Sequence, residues 1–83
     1  MKIEYDTAKN EINIAKHGVS LAEADDIEWD SCVSWLDMRH DYGEQRMTGM
    51  GYIGNRIYVV VFVDRDNKRR IISLRKANKR EVE

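Results

Sequence analysis

The feature that most constrains this chain is an apolar run of seven residues, IYVVVFV, at residues 57–63. The run is rich in β-branched and aromatic side chains, and it is much shorter than the roughly 18 to 20 apolar residues of a membrane span. Because both of its alternating faces are apolar, it predicts a strand in the middle of a sheet. We therefore expect a protein built on one central strand and no membrane-spanning segment.

The length of the chain, 83 residues, suits one hydrophobic core and is too short for two, so residues 1–83 are predicted to form a single domain. Its composition, 42% hydrophobic and 35% charged, is typical of a folded chain. The charged N-terminus lacks the apolar core of a secretory signal, and the single Cys32 cannot form an internal disulfide. Both features predict a cytoplasmic protein.

Capping signals predict two helices in the first third of the chain. Asp6 suits the N-cap of a helix over residues 7–17, which Gly18 ends. A second helix is predicted from the capping box of Ser20 and Glu23 to about residue 28. The residues predicted to face the core are Ala8, Ile12 and Ala15 in the first helix and Leu21, Ala24 and Ile27 in the second.

The remaining pattern predicts strands and one closing helix. Strands are expected at residues 1–5, 32–37, 43–53, 56–63 and 69–74, with turns at Gly54–Asn55 and at residues 64–68. The segment RKANKREVE favours a C-terminal helix. The predicted fold class is α+β, with two N-terminal helices packed on an antiparallel β-sheet and a C-terminal helix.

Charge is distributed unevenly along the chain. Residues 1–64 hold six Lys or Arg against twelve Asp or Glu, a net charge of −6, whereas residues 65–83 hold eight against three, a net charge of +5. A cluster of cations on one element attracts phosphates, although a solvated basic helix face explains the same pattern. The cations of interest at the junction of the last strand and helix are Arg70, Arg75, Lys76, Lys79 and Arg80.

Three motifs in this order, KHGVS at residues 16–20, DYGEQR at 41–46 and RIISLRKA at 70–77, resemble the BrnT family of toxins from bacterial type II toxin–antitoxin pairs. The resemblance implies a fold similar to that of RelE-like ribonuclease toxins and an endoribonuclease that needs no metal. It also implies inhibition of translation and growth. The implied partner is a cognate antitoxin like BrnA, of the ribbon-helix-helix type, through which alone the toxin would meet DNA.

Metal-free RNA cleavage requires a proton acceptor for the 2′-hydroxyl, cations for the charged phosphorane and an acid for the leaving oxygen. With that chemistry, the catalytic candidates are Glu44, Arg46, Arg70 and Arg75, and the RNA-binding candidates are Lys76, Lys79 and Arg80. Glu44 and Arg46 lie two apart on a predicted strand and so share a face, but they also suit a structural ion pair. Arg70 and Arg75 converge only if the chain bends into the helix by about Ser73.

Neither histidine predicts a metal site. His17 ends the first helix, where a cation favourably caps the last carbonyls. His40 lies among carboxylates, but no second His or Cys stands at a metal-ligand spacing, so no metal and no cofactor are expected. Two other functions fit the same residues: a non-catalytic module that binds nucleic acid, and a protein-interaction domain that docks a partner on its charged face.

Overall fold

The computed structural model describes residues 2–37 and 45–82. Five strands form one sheet: β1 Lys2–Glu4, β2 Val33–Leu36, β3 Met47–Ile53, β4 Arg56–Arg65 and β5 Lys68–Lys76. Two α-helices are α1 Thr7–His17 and α2 Lys79–Val82, and two 3₁₀ helices span Leu21–Asp26 and Trp29–Ser31. None of the described helices is long and apolar enough to cross a membrane.

Local signals in the sequence position several element ends. The Asp6 carboxylate accepts a hydrogen bond from the amide of Lys9 at 3.0 Å, and Gly18 ends α1 with a φ of 72°. Gly54 and Asn55 form the two-residue turn between β3 and β4, with φ at Gly54 of 63°. These predicted caps and turns are confirmed.

The sheet has the strand order β1-β5-β4-β3-β2, so β4 is its central strand. The prediction from IYVVVFV is therefore confirmed. Strands β2 to β5 pair antiparallel, whereas β1 pairs parallel with β5 through Lys2–Glu4. One face of the sheet, here called the packed face, is covered by the first 3₁₀ helix, and the opposite face is called the groove face.

The core lies between the packed face and the 3₁₀ segments. It is formed by Val19, Leu21, Ala24, Ile27, Tyr58, Val60, Phe62, Ile71 and Leu74. A Cβ atom on Gly51 of β3 would lie 2.8 Å from Ile27 Cγ2, so this strand position needs glycine for close packing. The glycines of β3 therefore mark close packing, not the bulge or bend that their sequence suggests, and β3 pairs with β4 in unbroken register.

The irregular strand is β5. Ser73 pairs with Val61 and Ile71 pairs with Phe62, so Ile72 is an extra residue that forms a β-bulge. A bulge shifts the alternation of side chains by one residue. As a result, Arg70 and Arg75, five apart in sequence, lie on the same face of the sheet, opposite Val63 and Val59. The predicted bend at Ser73 is wrong, because β5 continues through it to Lys76.

Helix α1 packs through polar side chains. Asn13 is only 5% exposed, and its amide nitrogen donates to the carbonyls of Val19 and Leu74, at 2.8 Å each. Its amide oxygen accepts from the Leu74 amide at 3.2 Å. Because β1 pairs with β5 only as far as Arg70, Asn13 satisfies the strand edge beyond β1. The predicted core stripe of Ala8, Ile12 and Ala15 is wrong, since these residues are exposed.

The predicted fold class is also wrong. Within residues 2–37 and 45–82, α1 is the one helix of seven residues or more, and the sheet is mixed, not antiparallel. The capping box of Ser20 and Glu23 forms as predicted, but it begins a 3₁₀ helix of six residues. Leu21, Ala24 and Ile27 recur every third residue, which matches the 3₁₀ repeat better than the α repeat. The C-terminal helix has only four residues, because β5 extends to Lys76.

Candidate functional site

A groove of about 670 Å³ crosses the groove face of the sheet, and it is here called the Arg75 groove. Its floor is made by the middle of the sheet, its sides by the end of α1 and by β2, and one end by α2. The lining residues are Lys16, His17, Trp35, Leu36, Asp37, Thr48, Val59, Val61, Ser73, Arg75 and Glu81.

Arg75 is held at this groove by Glu81 of α2. Its two terminal nitrogens donate to the two carboxylate oxygens of Glu81, with Nη1–Oε1 at 2.7 Å and Nη2–Oε2 at 2.8 Å. Glu81 also forms a capping box with Asn78, in which each accepts from the other's amide, at 2.8 and 2.9 Å. These bonds lower the pKa of Glu81 to about 2, chiefly through Arg75. Glu81 is therefore charged at neutral pH and fixes the orientation of the guanidinium.

The C-terminal end of α1 brings Lys16 and His17 to the groove. This placement follows from Asn13, which fixes α1 along the β5 edge one turn earlier. Burial lowers the pKa of His17 below its ordinary value of 6.5, and the positive charges of Lys16 and Arg75 lower it further. The imidazole is therefore mostly neutral at pH 7 and is able to accept a proton.

Hydroxyl and aromatic side chains line the groove floor in one row across the strands. Trp35 pairs with Thr48, Thr48 with Val61, and Val61 with Ser73, so all four residues share the groove face. Trp35 is 45% exposed at the edge of this row. The row thus offers hydrogen-bonding hydroxyls beside an aromatic surface on which a base is able to stack.

Of the predicted catalytic arginines, Arg75 alone lines the groove. Arg70 shares its face, but its partner on β4, Val63, is four residues from Val59, the partner of Arg75. At about 3.4 Å per residue of β4, the two arginines are about 14 Å apart along the sheet. Nη1 of Arg70 bonds Glu4 Oε2 at 3.2 Å. Arg46 precedes β3, and its carbonyl accepts from the amide of Asp37 at 2.7 Å. This bond places the backbone of Arg46 beside Asp37, which follows the last residue of β2 and lines the groove. Glu44 lies outside the described residues.

The predicted RNA-binding residues lie outside the groove. Lys76 follows Arg75 in β5 and pairs with Tyr58 of the packed face, so it points away from Arg75. Lys79 lines a separate hollow with Arg56. Arg80 is exposed on α2. The structure thus brings Arg75 together with none of the three.

Sequence reasoning missed most of the groove. The sequence alone indicates a helix cap at His17, and it offers no pattern that places Lys16, Thr48, Ser73 or Glu81 in a site. One signal was available, because N-x-x-E at residues 78–81 resembles a capping box and predicts that α2 begins after Asn78. No group of three His, Cys, Asp or Glu side chains in the described ranges is positioned to hold a metal ion, and His40 lies outside those ranges.

Comparison with known proteins identifies the family. No curated protein matches the chain. A family model described as "Ribonuclease toxin, BrnT, of type II toxin-antitoxin system" matches residues 5–81, nearly the whole chain, including α1, the whole sheet from β2 to β5 and the Arg75–Glu81 pair. Membership of a type II system implies a protein antitoxin as partner. The chain therefore belongs to the BrnT family of ribonuclease toxins.

Proposed function

We propose that this protein is an endoribonuclease that cuts RNA in the Arg75 groove without a metal ion and thereby inhibits translation and growth. The observation that carries the proposal is the guanidinium of Arg75, oriented by two hydrogen bonds at a groove that also holds a neutral imidazole and two hydroxyls. Family membership supports the same reaction class.

In the proposed reaction, the 2′-hydroxyl of RNA loses its proton, and its oxygen bonds to the adjacent phosphorus. The bond from phosphorus to the 5′-oxygen breaks, and that oxygen takes up a proton. The products are a 2′,3′-cyclic phosphate and a 5′-hydroxyl. Arg75 stabilises the extra negative charge of the phosphorane, because its guanidinium stays charged at any working pH and has five N–H donors, of which Glu81 accepts from two.

The groove itself offers His17 as the proton acceptor, in addition to the predicted Glu44. The two differ in their expected pH dependence. If His17 accepts the proton, the rate falls as the pH drops through the lowered pKa of His17, and His17→Gln removes this fall. If Glu44 accepts it, His17→Gln leaves the fall of the rate at low pH in place and Glu44→Gln removes it. A pH–rate profile of the wild type and of the variants His17→Gln and Glu44→Gln distinguishes the two.

The other predicted cations have supporting roles in this proposal. Arg46, at the β2 end of the groove, and Arg70, about 14 Å from Arg75 along the sheet, would bind neighbouring phosphates of the same strand. Lys76, Lys79 and Arg80 would bind more distant parts of the RNA. We further propose that the antitoxin is a BrnA-like ribbon-helix-helix protein, that it covers the groove, and that it alone binds DNA.

The experiment that tests the proposal is cleavage of an RNA oligonucleotide by the purified protein in EDTA. The expected products carry the cyclic phosphate and the 5′-hydroxyl, and an oligonucleotide with 2′-O-methyl groups should remain intact. Arg75→Ala, purified in parallel, is the control for contaminating nuclease. Binding without cleavage, or cleavage of the methylated strand, contradicts the proposal.

A further inference from the structure

The outer face of α1 is apolar. Ala8, Ile12 and Ala15, here called the α1 stripe, lie at spacings of four and three residues and therefore share one face of the helix. All three are exposed, and Ile12 is 65% exposed. The opposite face carries Asn13, which holds the helix to β5. The usual polarity of a surface helix is thus inverted, with its apolar stripe in solvent.

A hollow of about 220 Å³ adjoins the α1 stripe. Ile12 forms part of its wall on the helix side, and Ile72, the bulged residue of β5, forms part of its wall on the sheet side. Two apolar side chains therefore frame a concave site beside an apolar helix face. Such a combination suits the anchor side chain of a protein partner, because interface hot spots fill well-packed apolar pockets.

The charges around the hollow are positive. Lys9 and Lys16 both line it, between the α1 stripe and the sheet, and neither forms an ion pair with a described residue. Lys16 also lines the Arg75 groove. An occupant of the hollow would therefore complement these lysines best with acidic side chains, and it would lie next to Arg75.

We propose that the α1 stripe and the adjoining hollow are the docking site for an amphipathic helix of the antitoxin. One apolar side chain of that helix fills the hollow beside Ile12, and acidic side chains along its flank pair with Lys9 and Lys16. The family supplies the existence of a protein partner, whereas the stripe, the hollow and the lysines indicate where it binds. The inference does not depend on whether the chain cleaves RNA.

The test is the affinity of the toxin for the purified antitoxin encoded beside its own reading frame, measured by titration calorimetry. Ile12→Glu should weaken binding by about 30-fold or more, because it removes an apolar wall of the hollow and adds a charge of the same sign as the acidic side chains of the partner. Lys9→Glu should weaken it by about tenfold and reduce its salt dependence. Ile14→Glu is the matched control, since Ile14 lies on the same helix, is 45% exposed and lines neither the hollow nor the Arg75 groove, and its effect should stay within about threefold.

The melting temperature of each variant is measured first. It should match that of the wild type, because all three positions are exposed. The proposal is overturned if Ile12→Glu binds as tightly as the wild type, or if Ile14→Glu weakens binding equally. It is also overturned if the toxin alone sediments as a dimer that Ile12→Glu converts to a monomer, because a second copy then occupies the stripe. Failure of RNA cleavage leaves these affinities unaffected, so the two proposals fail separately.

Discussion

Arg69 and Arg75, six residues apart on β5, form two-fold ion pairs of the same lengths, Arg69 through Nε and Nη2 and Arg75 through Nη1 and Nη2. Arg69 donates to the carboxylate of Asp64 at 2.7 and 2.8 Å, and Arg75 donates to that of Glu81 at 2.7 and 2.8 Å. Their surroundings differ. Arg69 lies on the packed face, with its guanidinium carbon 4.5 Å from the ring centre of Trp29. Arg75 lies at the edge of an open groove.

The partners differ as well. Asp64 belongs to the hairpin that β4 and β5 share, whereas Glu81 belongs to a helix of four residues at the end of the chain. The bond lengths alone therefore do not separate a structural arginine from a functional one. In our proposal the two arginines differ in function because they differ in accessibility to a ligand and in the element that carries the partner carboxylate. The following predictions test this distinction.

The largest expected effect is on catalysis, from Arg75→Ala. Loss of one well-placed donor to a transition state costs about 3 to 4 kcal/mol, or roughly 100-fold to 1000-fold in rate. The cleavage rate should fall by this factor, with little change in melting temperature. In the proposed reaction Arg70 binds a phosphate away from the cleaved bond, so Arg70→Ala should mainly raise KM. A wild-type rate for Arg75→Ala would place the chemistry elsewhere.

The next effect is on stability, from Asn13→Ala. Strand β1 pairs with β5 beside Arg69 and Arg70. At Leu74, next to Arg75, this pairing has ended, and among the described side chains it is Asn13 that bonds the backbone of β5. Removing Asn13 leaves buried backbone groups without partners, so the free energy of unfolding should fall by about 2 to 3 kcal/mol in urea. Glu11→Ala, on the exposed side of α1, is the control and should change it little.

Arg69→Ala should produce the reverse of Arg75→Ala. It removes a two-fold hydrogen bond and the contacts of the guanidinium with Trp29 and Phe62, so the free energy of unfolding should fall by about 1 to 2 kcal/mol. The cleavage rate of the folded protein should stay unchanged. Lys68→Ala, an exposed neighbour on the same strand, should affect neither quantity. If Arg69→Ala also abolished cleavage in the folded state, the two arginines would not be functionally distinct.

The smallest effect concerns pH. The pKa of Glu81 is about 2 in the folded protein and ordinarily 4.5, so its pairing stabilises the fold above pH 4.5 and is lost as pH falls toward 2. Because the pair is partly exposed, this contribution is limited to about 1 kcal/mol. Urea unfolding of the wild type and of Glu81→Gln should therefore converge at low pH. A constant difference between the two at every pH would show that the charge of Glu81 does not contribute.

The sequence predicted the features that depend on neighbours in the chain. Asp6, Gly18, Ser20, Glu23 and Gly54 act within a few residues, and each forms the cap or turn that its type predicts. The central position of β4 was also predictable, because a strand that is apolar on both faces needs cover on both.

The features that the sequence did not predict depend on distant contacts. Nothing in the sequence around Asn13 indicates its role, because its partner, Leu74, is 61 positions away. His17 looked like a helix cap because the groove forms only when β2 to β5 assemble beside α1. The family resemblance and the chemistry that it implies predict Arg75. They do not predict its partner Glu81, because the sequence predicts that strand and helix merge where two residues, Ala77 and Asn78, separate them.

The bulge at Ile72 makes the face on which each arginine of β5 lies depend on the regularity of the strand and not only on the number of residues between them. Deleting this one residue would change neither the charge of the protein nor its inventory of arginines. It would leave Arg70 and Arg75 four apart in a regular ladder, so both would still lie on one face, whereas a spacing of five without the bulge would place them on opposite faces. Among relatives of this chain, a spacing of four without a bulge and a spacing of five with one should therefore be read as the same binding surface.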